Sequence, residues 1–81
     1  MIIIDGNKYW YLEGKLHRVD GPAIEYANGS TRWFLEDKLH RVDGPAIENT
    51  YGTKRWYYQG TLINVNSQIE FNRMLKLKAF W

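Results

Sequence analysis

LHRVDGPAIE occupies residues 16–25 and returns unchanged at residues 39–48. Sliding the chain against itself gives a period of 23: Leu16 falls on Leu39 and Leu62, Trp10 on Trp33 and Trp56, Gly6 on Gly29 and Gly52. The period divides the chain into units 5–27, 28–50 and 51–73, and the first two agree at 15 of 23 positions. The third shares only Gly52, Arg55, Trp56, Leu62 and Val65 with the second, and reads LINVNSQIEF where the repeated string would stand. A fixed period of this length marks a stacked-repeat architecture whose atypical last unit serves as a cap.

Each unit is too short for a helix pair and reads as strands. TRWFL is rich in aromatic and long apolar residues and is bounded by NGS and ED. Asn28-Gly29, between AIEY and TRWF, is a hairpin signal of the type I′ kind, which needs positive φ. Asp5-Gly6 and Tyr51-Gly52 occupy the same place in their units. EGK, EDK and QGT then reverse the chain into a short KLH-type strand, and VDGP reverses it again. The expected fold is mainly β: an antiparallel meander of three 23-residue hairpin units followed by a helix. Alternation places Trp10 on one face with Tyr9 and Tyr11 on the other, so Trp10, Trp33 and Trp56 should form a ladder.

The tail has a different period. Ser67-Gln68-Ile69-Glu70 fits a capping box, with Ser67 as N-cap and Glu70 at N3. The third unit is thus expected to act as a degenerate cap over 51–66, with a helical tail over 67–79 packed on the last hairpin. At about 100° per residue Phe71, Met74 and Leu75 share one side, Arg73 and Lys76 lie opposite, and Ile69 and Phe80 do not fit the stripe. The closing Phe80 and Trp81 either pack back or present an anchor.

Composition bounds the function. With no Cys there is no disulfide and no thiolate chemistry. The 13 aromatic residues can substitute for a thick core, since each buried ring removes roughly 150–250 Å² from water. MIIIDGNK is neither a signal peptide nor a membrane span, so the expectation is a soluble, cytoplasmic protein without membrane contact. Units 5–27 and 28–50 each carry three basic and four acidic side chains. Residues 51–81 carry Lys54, Arg55, Arg73, Lys76 and Lys78 against Glu70 alone. That basic third either steers an anionic partner or solubilises a helix face.

The residues in hand resemble a known class of repeat. The 23-residue period, the Trp-aromatic strand, the Gly turn and GPA resemble the MORN (membrane occupation and recognition nexus) β-hairpin repeats. The closer similarity is to a MORN-like variant, written LHRxDGPA, of small bacteriophage and bacterial proteins. It covers residues 5–62. Trp10, Leu16, His17, Arg18, Asp20, Gly21, Pro22 and Ala23 match, as do Trp33, Leu39, His40, Arg41, Asp43, Gly44, Pro45 and Ala46; unit 3 keeps Gly52, Trp56, Gly60 and Leu62. The resemblance implies a protein-interaction scaffold without catalytic activity. A viral origin would imply a small effector acting on a host protein such as a defence factor. The lipid association linked to plain MORN repeats is weakened here, because HRVDGPA replaces their Gly-rich HGxG stretch.

His, Arg and Asp at fixed spacing also invite an active-site reading, with His17 or His40 as general base and Asp20 or Asp43 orienting it. Three arguments oppose it. The constellation is repeated whereas catalysis needs one asymmetric pocket, Asp-Gly-Pro is turn chemistry, and Arg follows His onto the opposite strand face. The string reads as a folding device in which His and Arg meet carboxylates such as Glu25 or Glu48. Two His residues 23 apart match no zinc spacing, and no nucleotide or hydrolase motif occurs, so no enzyme activity, metal or cofactor is expected. The leading expectation is a protein-binding module with contacts from Tyr11, Phe34 and Tyr57, Arg32 and Arg55 beside them, and basic support from Lys76. A homo-oligomer through the same row would look identical in sequence. The alternative is a nucleic acid or anionic nucleotide, stacked on the aromatics and neutralised by the basic third.

Overall fold

A computed structural model describes residues 1–77. The chain is mainly β: β1 (Ile2–Ile4), β2 (Asn7–Tyr9), β3 (Tyr11–Leu12), β4 (Lys15–Leu16), β5 (Ile24–Glu25), β6 (Thr31–Arg32), β7 (Phe34–Leu35), β8 (Lys38–Leu39), β9 (Ile47–Glu48), β10 (Lys54–Tyr58) and β11 (Thr61–Ile63), closed by α1 (Gln68–Leu77). Seven strands form one antiparallel meander in the order β1-β2-β5-β6-β9-β10-β11. The hairpins β3–β4 and β7–β8 leave it as two-stranded excursions. No described helix is long and apolar enough to cross a membrane.

Trp10 and Trp33 are the points where the chain passes from the main sheet into a hairpin. Each donates its N–H to the alanine thirteen residues on, Ala23 or Ala46, at 2.8 Å, and accepts at its C=O from His17 or His40 at 3.0 Å. Ala23 and Ala46 are fully buried at these crossings. In the third unit the two segments merge, and β10 pairs with β9 at one end and with β11 at the other.

The turns divide into two kinds. Asp5-Gly6, Glu13-Gly14, Glu36-Asp37 and Gln59-Gly60 have positive φ at both residues, as two-residue I′ hairpins require. At Asn28-Gly29 and Tyr51-Gly52 only the glycine does, which corrects the type I′ expectation there. The loop closes one residue wider: Gly29 N–H donates to Tyr26 C=O and Tyr26 N–H to Ser30 C=O, both at 2.9 Å. This is a three-residue loop with its glycine in the bulge, held by Asn28 Oδ1 accepting from Ser30 N–H at 2.9 Å.

Successive hairpins are bonded to one another through the repeated string. Arg18 N–H donates to Phe34 C=O (3.1 Å) and Asp37 N–H to Leu16 C=O (2.9 Å). One unit later, Arg41 N–H donates to Tyr57 C=O (3.3 Å) and Gly60 N–H to Leu39 C=O (2.8 Å). The histidines complete this seam. His17 Nδ1 accepts from Glu36 N–H at 3.0 Å and His40 Nδ1 from Gln59 N–H at 2.9 Å. They therefore bind backbone of the next unit rather than the carboxylates expected of them.

The arginines do meet those carboxylates. Arg18 donates to Asp20, to Pro22 C=O and to Glu25 at 3.0–3.2 Å, with its guanidinium 3.9 Å from the centre of the Trp10 ring. Arg41 repeats the pattern on Asp43, Pro45 C=O, Glu48 and Trp33. Each guanidinium lies between a tryptophan and a buried glycine, Gly21 or Gly44, where an added Cβ would stand 2.7 or 2.6 Å from its Cζ. RVDGPAIE is thus a clip: Arg fills it, Gly makes room, and Pro C=O and Glu accept.

The third unit has Asn64 where the clip has its arginine, and α1 takes over. Phe71 is wholly buried against Trp56 and Ile63, with Tyr58, Val65, Met74 and Leu75 around them. Ser67 Oγ accepts from Glu70 N–H at 3.2 Å, the N-cap bond expected of it. Ile69 is exposed, consistent with its exclusion from the stripe. The helix is described to Leu77; the expected last turn to residue 79 and the roles considered for Phe80 and Trp81 fall outside the described residues.

Candidate functional site: the outer face of the hairpin column

Three cross-strand pairs follow one another along the hairpins: Tyr11 opposite Leu16, Phe34 opposite Leu39 and Tyr57 opposite Leu62. Residues directly opposite in an antiparallel pair project from the same face, so each pair is one aromatic-aliphatic contact. In β10, Trp56 and Tyr58 face α1 and Tyr57 between them faces away. Phe34 and Tyr57 are half-buried, whereas the two ends of the row are open: Tyr11 is 49% and Leu62 51% exposed.

Arg55 shares the face of Tyr57, two residues away in a continuous strand. Arg32 and Arg55 both stand opposite Ile47 and therefore lie on one face. Tyr11 and Phe34 take the place opposite a leucine in the two hairpins, and Tyr57, Arg32 and Arg55 thus belong to one side of the main sheet. Lys76 does not. It is exposed in the last turn of α1, which is seated by Phe71 on the opposite side of β10–β11. The two arginines also differ. Arg32 is occupied, donating to Asn49 Oδ1 and Thr31 C=O and lying 5.3 Å from the Tyr26 ring centre, while Arg55 is exposed.

Leu16, Leu39 and Leu62 were not singled out by sequence reasoning. The signal was there: each follows an EGK-type reversal by a fixed interval, which sets it opposite the aromatic residue. Asp37 was also missed. It holds a non-glycine positive φ, and its Oδ1 accepts from Leu16 N–H at 2.6 Å, tying unit 2 to unit 1.

The His–Asp relay considered from the sequence is not assembled. Asp20 and Asp43 accept from arginine, and each imidazole commits Nδ1 to a backbone N–H, which leaves its proton on Nε2. His40 packs against Tyr58 with ring centres 4.9 Å apart, and its burial lowers its pKa from the ordinary value by penalising the cation. Among the described residues no three His, Cys, Asp or Glu side chains converge on a metal position.

Comparison of the chain with protein-family models, with curated proteins and with solved structures found no match.

Proposed function

We propose that this chain is a non-enzymatic protein-interaction module that binds its partner through Tyr11, Phe34 and Tyr57, with Arg55 as the adjoining cation. One observation carries the reading: α1 covers one face of the terminal hairpin, through Phe71 on Trp56 and Ile63, and leaves the Tyr57–Leu62 pair on the opposite face. Aromatic residues flanked by arginine are the side chains that dominate protein interfaces, because they bury large areas at little rotamer cost. The likeness of the repeated string to MORN-like phage repeats extends this reading to a small effector that binds, and inhibits or redirects, a bacterial host protein.

The test is affinity capture from bacterial lysate, with and without nuclease, using the wild-type chain, Tyr11→Ala and Lys76→Ala. The expected result is one stoichiometric protein retained by wild type and Lys76→Ala and lost by Tyr11→Ala, whose exposed ring contributes little to folding. Retention that disappears with nuclease would replace this reading with nucleic-acid binding by Lys54, Arg55, Arg73 and Lys76, all of which are exposed.

A further inference from the structure

The first strand is an open edge with no polar side chain. β1 pairs with β2 alone, in the register Ile2–Tyr9, Ile3–Lys8 and Ile4–Asn7. Its three isoleucines are 48, 59 and 56% exposed. Natural sheet edges are usually blunted by shortness, lysine, proline or a bulge; β1 is three residues long but has no lysine, proline or bulge. Its backbone is also primed. The I′ turn at Asp5-Gly6 closes on Ile4 and Asn7 as a hydrogen-bonded pair, and such pairs alternate with non-bonded ones. Ile3 and Lys8 are therefore a non-bonded pair, and the N–H and C=O of Ile3 point to the open side.

We propose that β1 pairs with β1 of a second copy of this chain, antiparallel about a two-fold axis through Ile3. The two Ile3 residues then exchange both N–H···O bonds, and Ile2 of each copy meets Ile4 of the other. A strand apolar on both faces needs a partner apolar on both faces, and Ile-Ile-Ile supplies that to itself because it reads the same in either direction. The other end of the stack offers no such match: its outermost strand, β11, begins with Thr61 and has Ile63 buried beneath the capping helix. An isologous contact of this kind closes at two copies and joins the two seven-stranded sheets into one. It uses a different surface from the aromatic row, so the two proposals stand or fall separately.

The experiment is mass by light scattering and sedimentation over a concentration series for wild type, Ile3→Glu and Ile3→Lys. Wild type is expected to rise to twice the 9.7 kDa of one chain. Ile3→Glu adds a carboxylate opposite Lys8 within the hairpin, which favours the fold, but opposes two like charges across the two-fold. Each variant alone should dimerise at least tenfold more weakly, and an equimolar mixture of the two should recover the dimer as a heterodimer. Tyr11→Ala should dimerise as wild type does. In the wild type the Ile3 amide should exchange at least tenfold more slowly in concentrated than in dilute solution, a readout that needs no variant. Wild type at single-chain mass throughout, an Ile3 amide indifferent to concentration, or a dimer untouched by Ile3→Glu would overturn the proposal.

Discussion

Replacing Gly44 by alanine tests the clip directly, because two effects of opposite sign compete. Gly44 does not have positive φ, so alanine meets no backbone strain there. Taken alone, the loss of unfolded-state freedom would stabilise the chain by about 0.4–1 kcal/mol. The new Cβ, however, would stand 2.6 Å from Cζ, 2.8 Å from Nη1 and 2.9 Å from Nε of Arg41. The guanidinium must move, and it is held from several directions. It lies 3.9 Å from the Trp33 ring centre and donates to Pro45 C=O, Glu48 and Asp43 at 3.2, 3.2 and 2.9 Å. Losing a partly desolvated cation–π contact costs about 0.5–2 kcal/mol. The bond to the half-buried carbonyl adds about 1 kcal/mol, and the part-exposed ion pairs add at most about 1 kcal/mol. The net expectation is a destabilisation of about 0.5–3.5 kcal/mol, or on the order of 10 °C in midpoint for a domain of this size. Urea denaturation read by tryptophan fluorescence measures it. The control is the double variant Gly44→Ala with Arg41→Ala: without the guanidinium the Cβ has nothing to displace, so alanine at 44 should then be neutral or slightly stabilising. Strictly additive costs, or a stabilised single variant, would refute the clip.

Other consequences follow from single contacts. Burial depresses the pKa of His40 in the fold, so the unfolded chain takes up this proton first. That contribution to stability is complete above the ordinary histidine value of 6.5 and is lost as pH falls through the lower folded value. His40→Asn, which keeps an acceptor for Gln59 N–H, should show a smaller drop in urea midpoint between pH 7.5 and 5.5 than wild type. Ser67→Ala removes the acceptor for Glu70 N–H and should lower stability by about 1 kcal/mol, with helical signal at 222 nm lost along with the main transition.

The period, the hairpins and the helix were legible because their signals are local: glycine spacing, strand alternation and a capping serine. The turn at Asn28-Gly29 was misread because loop length depends on which residues close the ladder, and Tyr26 and Ser30 do so through backbone atoms common to every residue. Arg18 was correctly matched to Glu25, which lies seven residues on in the same unit. His17 was not, since its partner is a backbone N–H exposed only by a positive-φ turn in the next unit. At the candidate site, strand parity brought Tyr57, Arg32 and Arg55 to one side. Which side α1 would cover was not readable, because both faces of β10 carry aromatics. Only the seating of Phe71 between Trp56 and Ile63 decides it, and that also separates Lys76 from the row.

The two ends of the stack are finished differently from its middle, and this makes the middle extendable. At the far end Gln68 replaces the clip: its Oε1 accepts from Trp56 Nε1–H at 2.6 Å, and its Nε2 donates to Val42 C=O and Asn72 Oδ1 at 3.0 and 2.8 Å. At the near end β1 fills the main-sheet position that Ile24-Glu25 and Ile47-Glu48 take between later units. Between these caps, unit 2 docks on unit 1 through Phe34, Glu36 and Asp37 meeting Leu16, His17 and Arg18. The residues at 39–41 are again Leu, His and Arg. A second copy of residues 28–50 inserted after Thr50 therefore docks on the first through the same atoms, and unit 3 docks on the copy as it now does on the original. The lengthened chain should unfold in one transition, with a urea slope about a quarter larger in proportion to the added surface. A second, lower transition would show that contacts between units 1 and 3, rather than neighbour-to-neighbour seams, hold the stack together.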